Sequence, residues 1–421
     1  MSSDQPEPHP VAVAEQREVA ETPAQAAPAP RPTLAFLPWC RLANRLSVGP
    51  VHLVPYRRKR PEIPELDDPS DAAAVASVLS MYRDLHGEPV TRLALIRLDD
   101  QPLLAPLNAE RRATINEWIK VVAFAALADR DIVEGFAYAN AAHFALRFQE
   151  IVHDTEGDMT HIRRDVRTKY GGIKDGRKID ELRIGIPEQA ASNELVRADR
   201  RLLSAIEALG QATDDDTWER WMDALACFVE ANTDSQDGGG VPPRVDHVLL
   251  TSAFESLLQA RGKAVMLGKN LDAVLDGLDR PPLRDSHRYT ERLKRRYGKK
   301  SSVANAWVRE FYDIRNSFGH GQRTSEDPEG PYSWAIREHE LLATIAFPII
   351  ARKLLADAGH LRLTSQHRGD LAALEHAMAS PYSDWAKLFR DAGQKETIAD
   401  MGRARQMNGG RPPHAIEFNG D

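Results

Sequence analysis

The sequence predicts a mainly α-helical protein, a C-terminal helical bundle preceded by a mixed α+β, mostly helical N-terminal region. Three observations lead there. Apolar residues recur at helical spacing through most of the chain from Ala109 onward. Short β-branched, strand-like pieces are confined to the region before it, at Val51 to Val54 and Val90 to Leu98. Gly238-Gly239-Gly240, followed by Pro242-Pro243, separates two such regions as a linker does.

At 421 residues the chain has room for two or three domains with cores of their own. A hydrophobic content of 42% with 28% charged residues is the balance of a globular protein. The net charge of −7 means that any nucleic-acid contact must come from local basic patches, not from a global field. Cys40 and Cys227 are the only cysteines and offer neither a disulfide framework nor zinc spacing, which suits a cytoplasmic location. The acidic, proline-rich start has no basic and then apolar stretch of the kind a signal peptide needs. The longest apolar run, Leu341 to Leu355, is too short for a bilayer and holds Pro348, so it is expected to be a buried helix with no membrane role.

Residues 1–32 are rich in Ala, Pro, Glu and Gln without an apolar period, and are expected to form a disordered tail. The N-terminal region, 33–232, has no catalytic motif. Order is expected to begin at Leu34-Ala35-Phe36. A helix is predicted over Asp71 to Leu85, with Asp67, Asp68 and Ser70 available as caps, then helices over Glu110 to Ala128 and Ile132 to Ile151. Thr155 to Gly185 is polar and basic and reads as a solvated loop, or else as an arm that follows phosphates. Glu188 to Ala208 and Asp215 to Ala231 return to helix, with Trp218 and Trp221 as core anchors. After the linker at 233–242, helices are predicted over Asp246 to Arg261, Lys263 to Leu278, Val303 to Phe318 (capped by Ser301 or Ser302) and Tyr332 to Ala358. The bundle is expected to occupy 243–378, and 379–421 to hold a short helix and a flexible tail.

The chemistry concentrates in Arg315-Asn316-Ser317-Phe318-Gly319-His320, which closes the Val303 helix. Arginine offers phosphate a rigid fork of donors, and histidine transfers protons near neutral pH. Together with the helix at Leu249 to Gly262 (LLTSAFESLLQARG), the stretch WVREFYDIRNSFGHG at 307–321 resembles the HEPN superfamily and, within it, the Apea-like branch. Its signature is an arginine, a polar residue directly after it, and a histidine four to six intervening residues on; Arg315, Asn316 and His320 match with four between. The likeness covers about a third of the chain, from Pro243 to Met378. It implies a helical bundle that dimerises, a composite site across the two-fold axis, and RNA cleavage without a metal or other cofactor. A toxin or antiphage defence role follows from that company, with the N-terminal half, a regulatory protein partner or another trigger controlling activity.

The residue types suit that chemistry. RNA carries its own nucleophile, the 2′-hydroxyl, so catalysis requires proton transfer and neutralisation of phosphate charge. His320 serves the first and Arg315 the second, since arginine stays protonated; Asn316 orients the imidazole or donates to an oxygen. Tyr312, one turn before Asn316, is placed to line the site, and Glu255 to hold Arg315. The basic run at 284–300, with Arg288, Arg292, Lys294, Arg295 and Arg296, is a candidate RNA approach or a solvated helix face. At about 100° per residue, Arg315 and His320 stand roughly 140° apart on a straight helix, so either the helix ends at Gly319 or two subunits share the site. A structural reading uses the same residues: His320 as a C-terminal cap, and Arg315 paired with Glu310, Asp313 or Glu255. On that reading the bundle is a non-catalytic module that binds RNA, a nucleotide or a protein; a nuclease subunit of a larger defence complex is a third possibility. No phosphate-cradling glycine loop and no metal-ligand spacing is present in the sequence.

Overall fold

An antiparallel sheet forms around the strand-like pieces, and it is larger than the sequence suggests. The computed structural model describes residues 31–59, 66, 68–84, 86–129, 141–153, 160–167, 173–179, 182–184, 195–233, 243–260, 262–278, 291–298, 301–319 and 332–407. Strands β1 (Thr33–Leu37), β2 (Leu46–Val48) and β3 (Val51–Arg57) come first, and β4 (Tyr82–Arg83) and β5 (Arg92–Leu98) follow. Three more, β6 (Arg147–His153), β7 (Thr160–Arg167) and β8 (Ile173–Ile179), complete a seven-stranded order β2-β3-β5-β1-β6-β7-β8. Every neighbouring pair in it is antiparallel. A separate parallel pair joins β4 to β9 (Leu182–Arg183).

Both faces of the sheet's centre are covered, which explains why β1 and β5 read as unbroken apolar runs. Leu34, Phe36, Leu93 and Leu95 pack with Val75, Val78 and Leu79 of α1 (Pro69–Ser80). Ala35, Leu37, Ala94 and Ile96 belong to the larger core, with Ile119, Val122 and Phe124 of α2 (Ala109–Ala128). Asp68 caps α1 by accepting the Ser70 N–H at 2.8 Å, and Asn108 caps α2 through the Arg111 N–H at 2.9 Å.

The helix expected over Asp71 to Leu85 stops at Ser80, ahead of β4, and two further predicted elements change identity. The helix expected over Ile132 to Ile151 gives way at its C-terminal end to β6, because Arg147 to Glu150 pair with Phe36 to Thr33 of β1. Positions 130–140 lie outside the described residues. The basic stretch expected as a loop contains β7 and β8, which extend the sheet from β6 with a bulge between Arg164 and Val166. Non-local pairing decides both, and neither backbone partner is near in sequence.

The larger core continues into the C-terminal helices. These are α3 (Arg200–Ala212), α4 (Asp215–Ala231), α5 (Pro243–Leu257), α6 (Ala264–Val274), α7 (Glu291–Tyr297), α8 (Val303–Gly319), α9 (Ile336–Asp357), α10 (Ser365–Ala379) and α11 (Trp385–Met407). A chain of rings links them. Phe124 meets Phe228 edge-on at 5.7 Å, Phe228 stacks on Phe347 at 4.5 Å, and Phe254 joins Phe347 at 5.5 Å and Trp307 at 5.8 Å. Residues on both sides of the 233–242 segment therefore share one apolar cluster, and residues 31–421 form one compact unit. Pro348 is tolerated within α9, a 22-residue helix in which Phe347, Ile349 and Ile350 are buried. The last helix is longer than the short piece expected: α11 runs to Met407 against α10, where Gly369 and Gly393 bring the two backbones together. No described helix is long and apolar enough to cross a membrane.

One polar contact pins α9 to the sheet-backing helices. The buried Arg352 donates to the Ala128 carbonyl at 2.7 Å and to Asp199 Oδ2 at 3.1 Å. Asp199 in turn caps α3, accepting the Arg201 and Leu202 N–H groups at 3.0 and 3.1 Å. Removing one partner of a buried pair leaves the other's charge uncompensated, at a cost of about 3–5 kcal/mol. Arg352→Ala is expected to lower unfolding free energy by about that amount in urea titrations, with Arg352→Lys recovering only part of it because both bonds leave from the terminal Nη2, whose position the shorter lysine side chain does not reach.

Candidate active site at the end of helix α8

Helix α8 carries the motif, and its start and end are fixed by different means. At the start, Ser302 Oγ accepts the Asn305 N–H at 3.0 Å, as the cap position predicts, and Glu375 of α10 accepts the Ala304 N–H at 3.0 Å. A carboxylate there also meets the positive end of the helix dipole. Trp307, Phe311 and Ile314 are wholly buried along one side.

Near the end, Arg315 points toward α5. Its Nη2 lies 3.5 Å from Glu255 Oε2, its Nη1 reaches the Tyr312 hydroxyl at 3.5 Å, and its guanidinium sits 5.5 Å from the centre of the Tyr312 ring. Of the three acids the sequence offers Arg315, the structure selects Glu255. Asp313 is occupied by Arg296 at 2.6 Å and by the Tyr297 hydroxyl at 3.1 Å. Burial, and then the carboxylates of Glu310 and Asp313, push the Tyr297 phenol up, which keeps it a donor.

Glu255 is itself fixed. After α5 the chain turns through Gln259 in the left-handed region (φ 55°), with the Ala260 N–H on the Glu255 carbonyl at 2.9 Å. That turn returns the Gly262 N–H to Glu255 Oε1 at 2.8 Å. One carboxylate oxygen is thus spent on the backbone and the other faces Arg315.

Arg315 and Glu255 lie in the wall of an open cleft of about 780 Å3 between α4, α5 and α8. Asp216, Glu219, Arg220 and Asp223 of α4 supply the opposite wall, so carboxylates outnumber guanidinium groups around the space. Asn316 is half-buried on α8, and His320 lies outside the described residues. Of the basic run, Arg288 is also outside them, and Arg292 and Lys294 are described only as backbone of α7. Arg295 is exposed, and Arg296 is drawn onto Asp313. The structure therefore brings Arg315, Tyr312 and Glu255 together, and seats α7 against α8 through the Arg296–Asp313 pair.

The sequence reading missed what holds the motif's flanks. Glu310 is wholly buried on α8; its Oε1 accepts the Ser333 N–H at 2.6 Å and the Trp334 N–H at 3.1 Å, and lies 3.4 Å from His339 Nε2. Ser317 Oγ lies 3.1 Å from the Tyr332 hydroxyl. Both ends of the 320–331 segment are thereby tied to one helix. Phe318, just before it, packs edge-on against His247 at 5.4 Å and beneath Arg244 at 5.6 Å. His247 is buried, donates from Nε2 to the Phe311 carbonyl at 2.9 Å and has Nδ1 3.9 Å from Glu340 Oε1. Acidic and imidazole side chains set among apolar helix positions were the only sequence signal of this cluster.

Burial, then the neighbouring His339, holds the His247 imidazole neutral down to about 3. Burial and then Asp246 raise the Glu340 carboxyl to about 7, with Arg337 opposing. Among the described residues no group of three or more His, Cys, Asp or Glu is arranged to hold a metal ion. Comparison with known proteins finds no matching family model, no matching curated protein and no matching solved structure.

The folded protein holds the Glu340 proton more tightly than the unfolded chain does. The resulting stability is complete below the ordinary carboxylate value of 4.5 and is lost as pH rises through about 7. Between pH 5 and 8 the loss amounts to about 2–3 kcal/mol. Melting followed by circular dichroism is expected to show that decline in the wild type and a flatter profile in Glu340→Gln.

Proposed function

We propose that this chain is a metal-independent endoribonuclease of the HEPN kind, acting in the cytoplasm as a homodimer in a toxin or antiphage defence role. The observation that carries the reading is Arg315. Its side chain is 31% exposed and is held at the end of α8 by a carboxylate whose other oxygen is fixed on the backbone. A guanidinium oriented in this way is preorganised for phosphate and loses little freedom on binding it. In the reaction, His320 takes the 2′-hydroxyl proton, the 2′-oxygen bonds to phosphorus, and the bond to the 5′-oxygen breaks. The leaving oxygen then takes a proton from a second imidazole, that of His320 in the other subunit. Arg315 neutralises the phosphate oxygens, Asn316 orients the imidazole and Tyr312 walls the site. The N-terminal half controls access.

A second reading has one observation in its favour. The cleft beside Arg315 carries Asp216, Glu219, Asp223 and Glu255 against Arg220 and Arg315, a balance that suits a basic protein segment better than a phosphodiester. On that reading the bundle is a binding module, and Arg315 serves only to seat Glu255.

Incubation of the full chain with total RNA in EDTA separates the two. The nuclease is expected to leave 2′,3′-cyclic phosphate ends, and His320→Ala and Arg315→Ala each to reduce cleavage by at least a hundredfold while melting like the wild type. Undiminished cleavage by His320→Ala would overturn the mechanism. Absence of cleavage, with a basic peptide bound at the α4–α5–α8 cleft, would establish the binding module instead.

A further inference from the structure

A second cleft, formed where α3 and α10 both begin, has the opposite electrostatic character to the one beside Arg315. It is open to solvent and has a volume of about 1050 Å3. Its shape follows from local rules. Gly359 ends α9 in the left-handed region (φ 82°), and the His360 N–H closes on the Leu355 carbonyl at 2.9 Å. That turn reverses the chain, buries Leu361 and leaves Arg362 exposed. Thr364 then starts α10 by accepting the His367 N–H at 3.1 Å. On the facing side, Asp199 starts α3 and is held in place by Arg352, so Arg200 and Arg201 are presented from a fixed helix end.

The charge balance of this cleft is positive. Arg200, Arg201 and Arg362 line it, are exposed, and form no ion pair among the described residues. The nearby carboxylates are already engaged: Asp199 by Arg352 at 3.1 Å, Glu396 by Arg368 at 3.2 Å, and Asp400 by Arg368 and Ser365. Partial burial, then the positive charge of Arg352, holds the His367 imidazole neutral down to about 4, with Asp199 opposing and Arg201 adding to the effect. Three guanidinium groups with no ion pair among the described residues, on a chain of net charge −7, gather positive charge locally against the overall balance.

The lining also decides what kind of anion fits. Among the described residues it contains no Phe, Tyr or Trp, so they offer no platform on which successive bases of a single strand would stack. It offers forked arginines and the Ser204 hydroxyl, which are donors suited to phosphate oxygens. Its volume is that of a small-ligand site, not of a track along the surface.

We propose that the cleft between α3 and the α9–α10 turn binds a small molecule carrying two or more linked phosphates, either a nucleoside polyphosphate or an inorganic polyphosphate chain. Arg200, Arg201 and Arg362 bind the phosphates, while Arg368 remains paired and holds the wall. The site lies apart from Arg315 and does not depend on RNA cleavage.

The test is titration calorimetry of the full chain with sodium tripolyphosphate and, separately, with ATP, each at low and high salt. The comparison is with an Arg201→Ala/Arg362→Ala double variant and with Arg390→Ala, an exposed arginine outside the cleft. One site per chain is expected, weakened at least tenfold in the double variant, unchanged in Arg390→Ala and reduced by salt. ATP binding tighter than tripolyphosphate assigns a nucleoside polyphosphate; equal affinities assign the phosphate chain alone. The substituted arginines are exposed and form no ion pair among the described residues, so the double variant should melt like the wild type. The proposal is overturned if neither probe binds, if binding survives in the double variant, or if an RNA oligonucleotide needs these arginines while tripolyphosphate does not bind.

Discussion

Arg352 is the contact on which the arrangement of the molecule rests. One guanidinium, buried on α9, satisfies the last carbonyl of α2 and the carboxylate that caps α3. The sheet and α2 are thereby locked to the helical region by a directional bond as well as by apolar packing. Hydrophobic contact between Phe124, Phe228 and Phe347 supplies most of the attraction but tolerates sliding and rotation. The Arg352 contact does not, because the N–H groups of its Nη2 must meet two acceptors on two elements. The same bond fixes Asp199, and with it the helix end that presents Arg200 and Arg201.

A related device operates on α8. A buried carboxylate, Glu310, accepts two backbone N–H groups from the segment that enters α9, and so a helix interior holds a chain that leaves and returns. Phe318 and His247 secure the departure, and Ser317 and Tyr332 bridge the two ends. Leaving the Glu310 carboxylate without donors would be costly, so its bonds to Ser333 and Trp334 favour one placement of the motif's flanks. Arg315 is positioned in the same manner from the other side of the helix, through Glu255 and the Gly262 N–H. The character of two clefts, acidic beside Arg315 and basic beside Arg201, follows from which of these charges are spent on internal partners.

Helix boundaries were legible wherever a cap or an amphipathic period was strong. Asp215 to Ala231 and the helix ending at the motif appear as read, and Ser302 caps the latter. Legibility failed where the partner lay far away in sequence. Arg147 to His153 carries apolar residues at a spacing compatible with helix or strand, and only pairing with β1 decides between them. Glu255 as the holder of Arg315 was readable because a lone acid on an apolar helix face requires a cation. Glu310 was readable only as a possible ion partner; that it accepts backbone N–H groups depends on where the chain returns after the motif.

The sequence by itself determined the local content of this protein: mostly helix, strands near the start, a motif that closes α8, and an arginine able to grip an anion. These depend on periodicity, caps and side-chain chemistry, all of which act over a few residues. The tertiary structure decided what is non-local. It joined both sides of the glycine-rich segment into one apolar cluster, made strands of β6 to β8, paired Arg315 with Glu255, and gathered Arg200, Arg201 and Arg362 in a common cleft. The physical reason is that pairing and burial are properties of contacts between distant segments, and a single chain position does not specify which contact it will make.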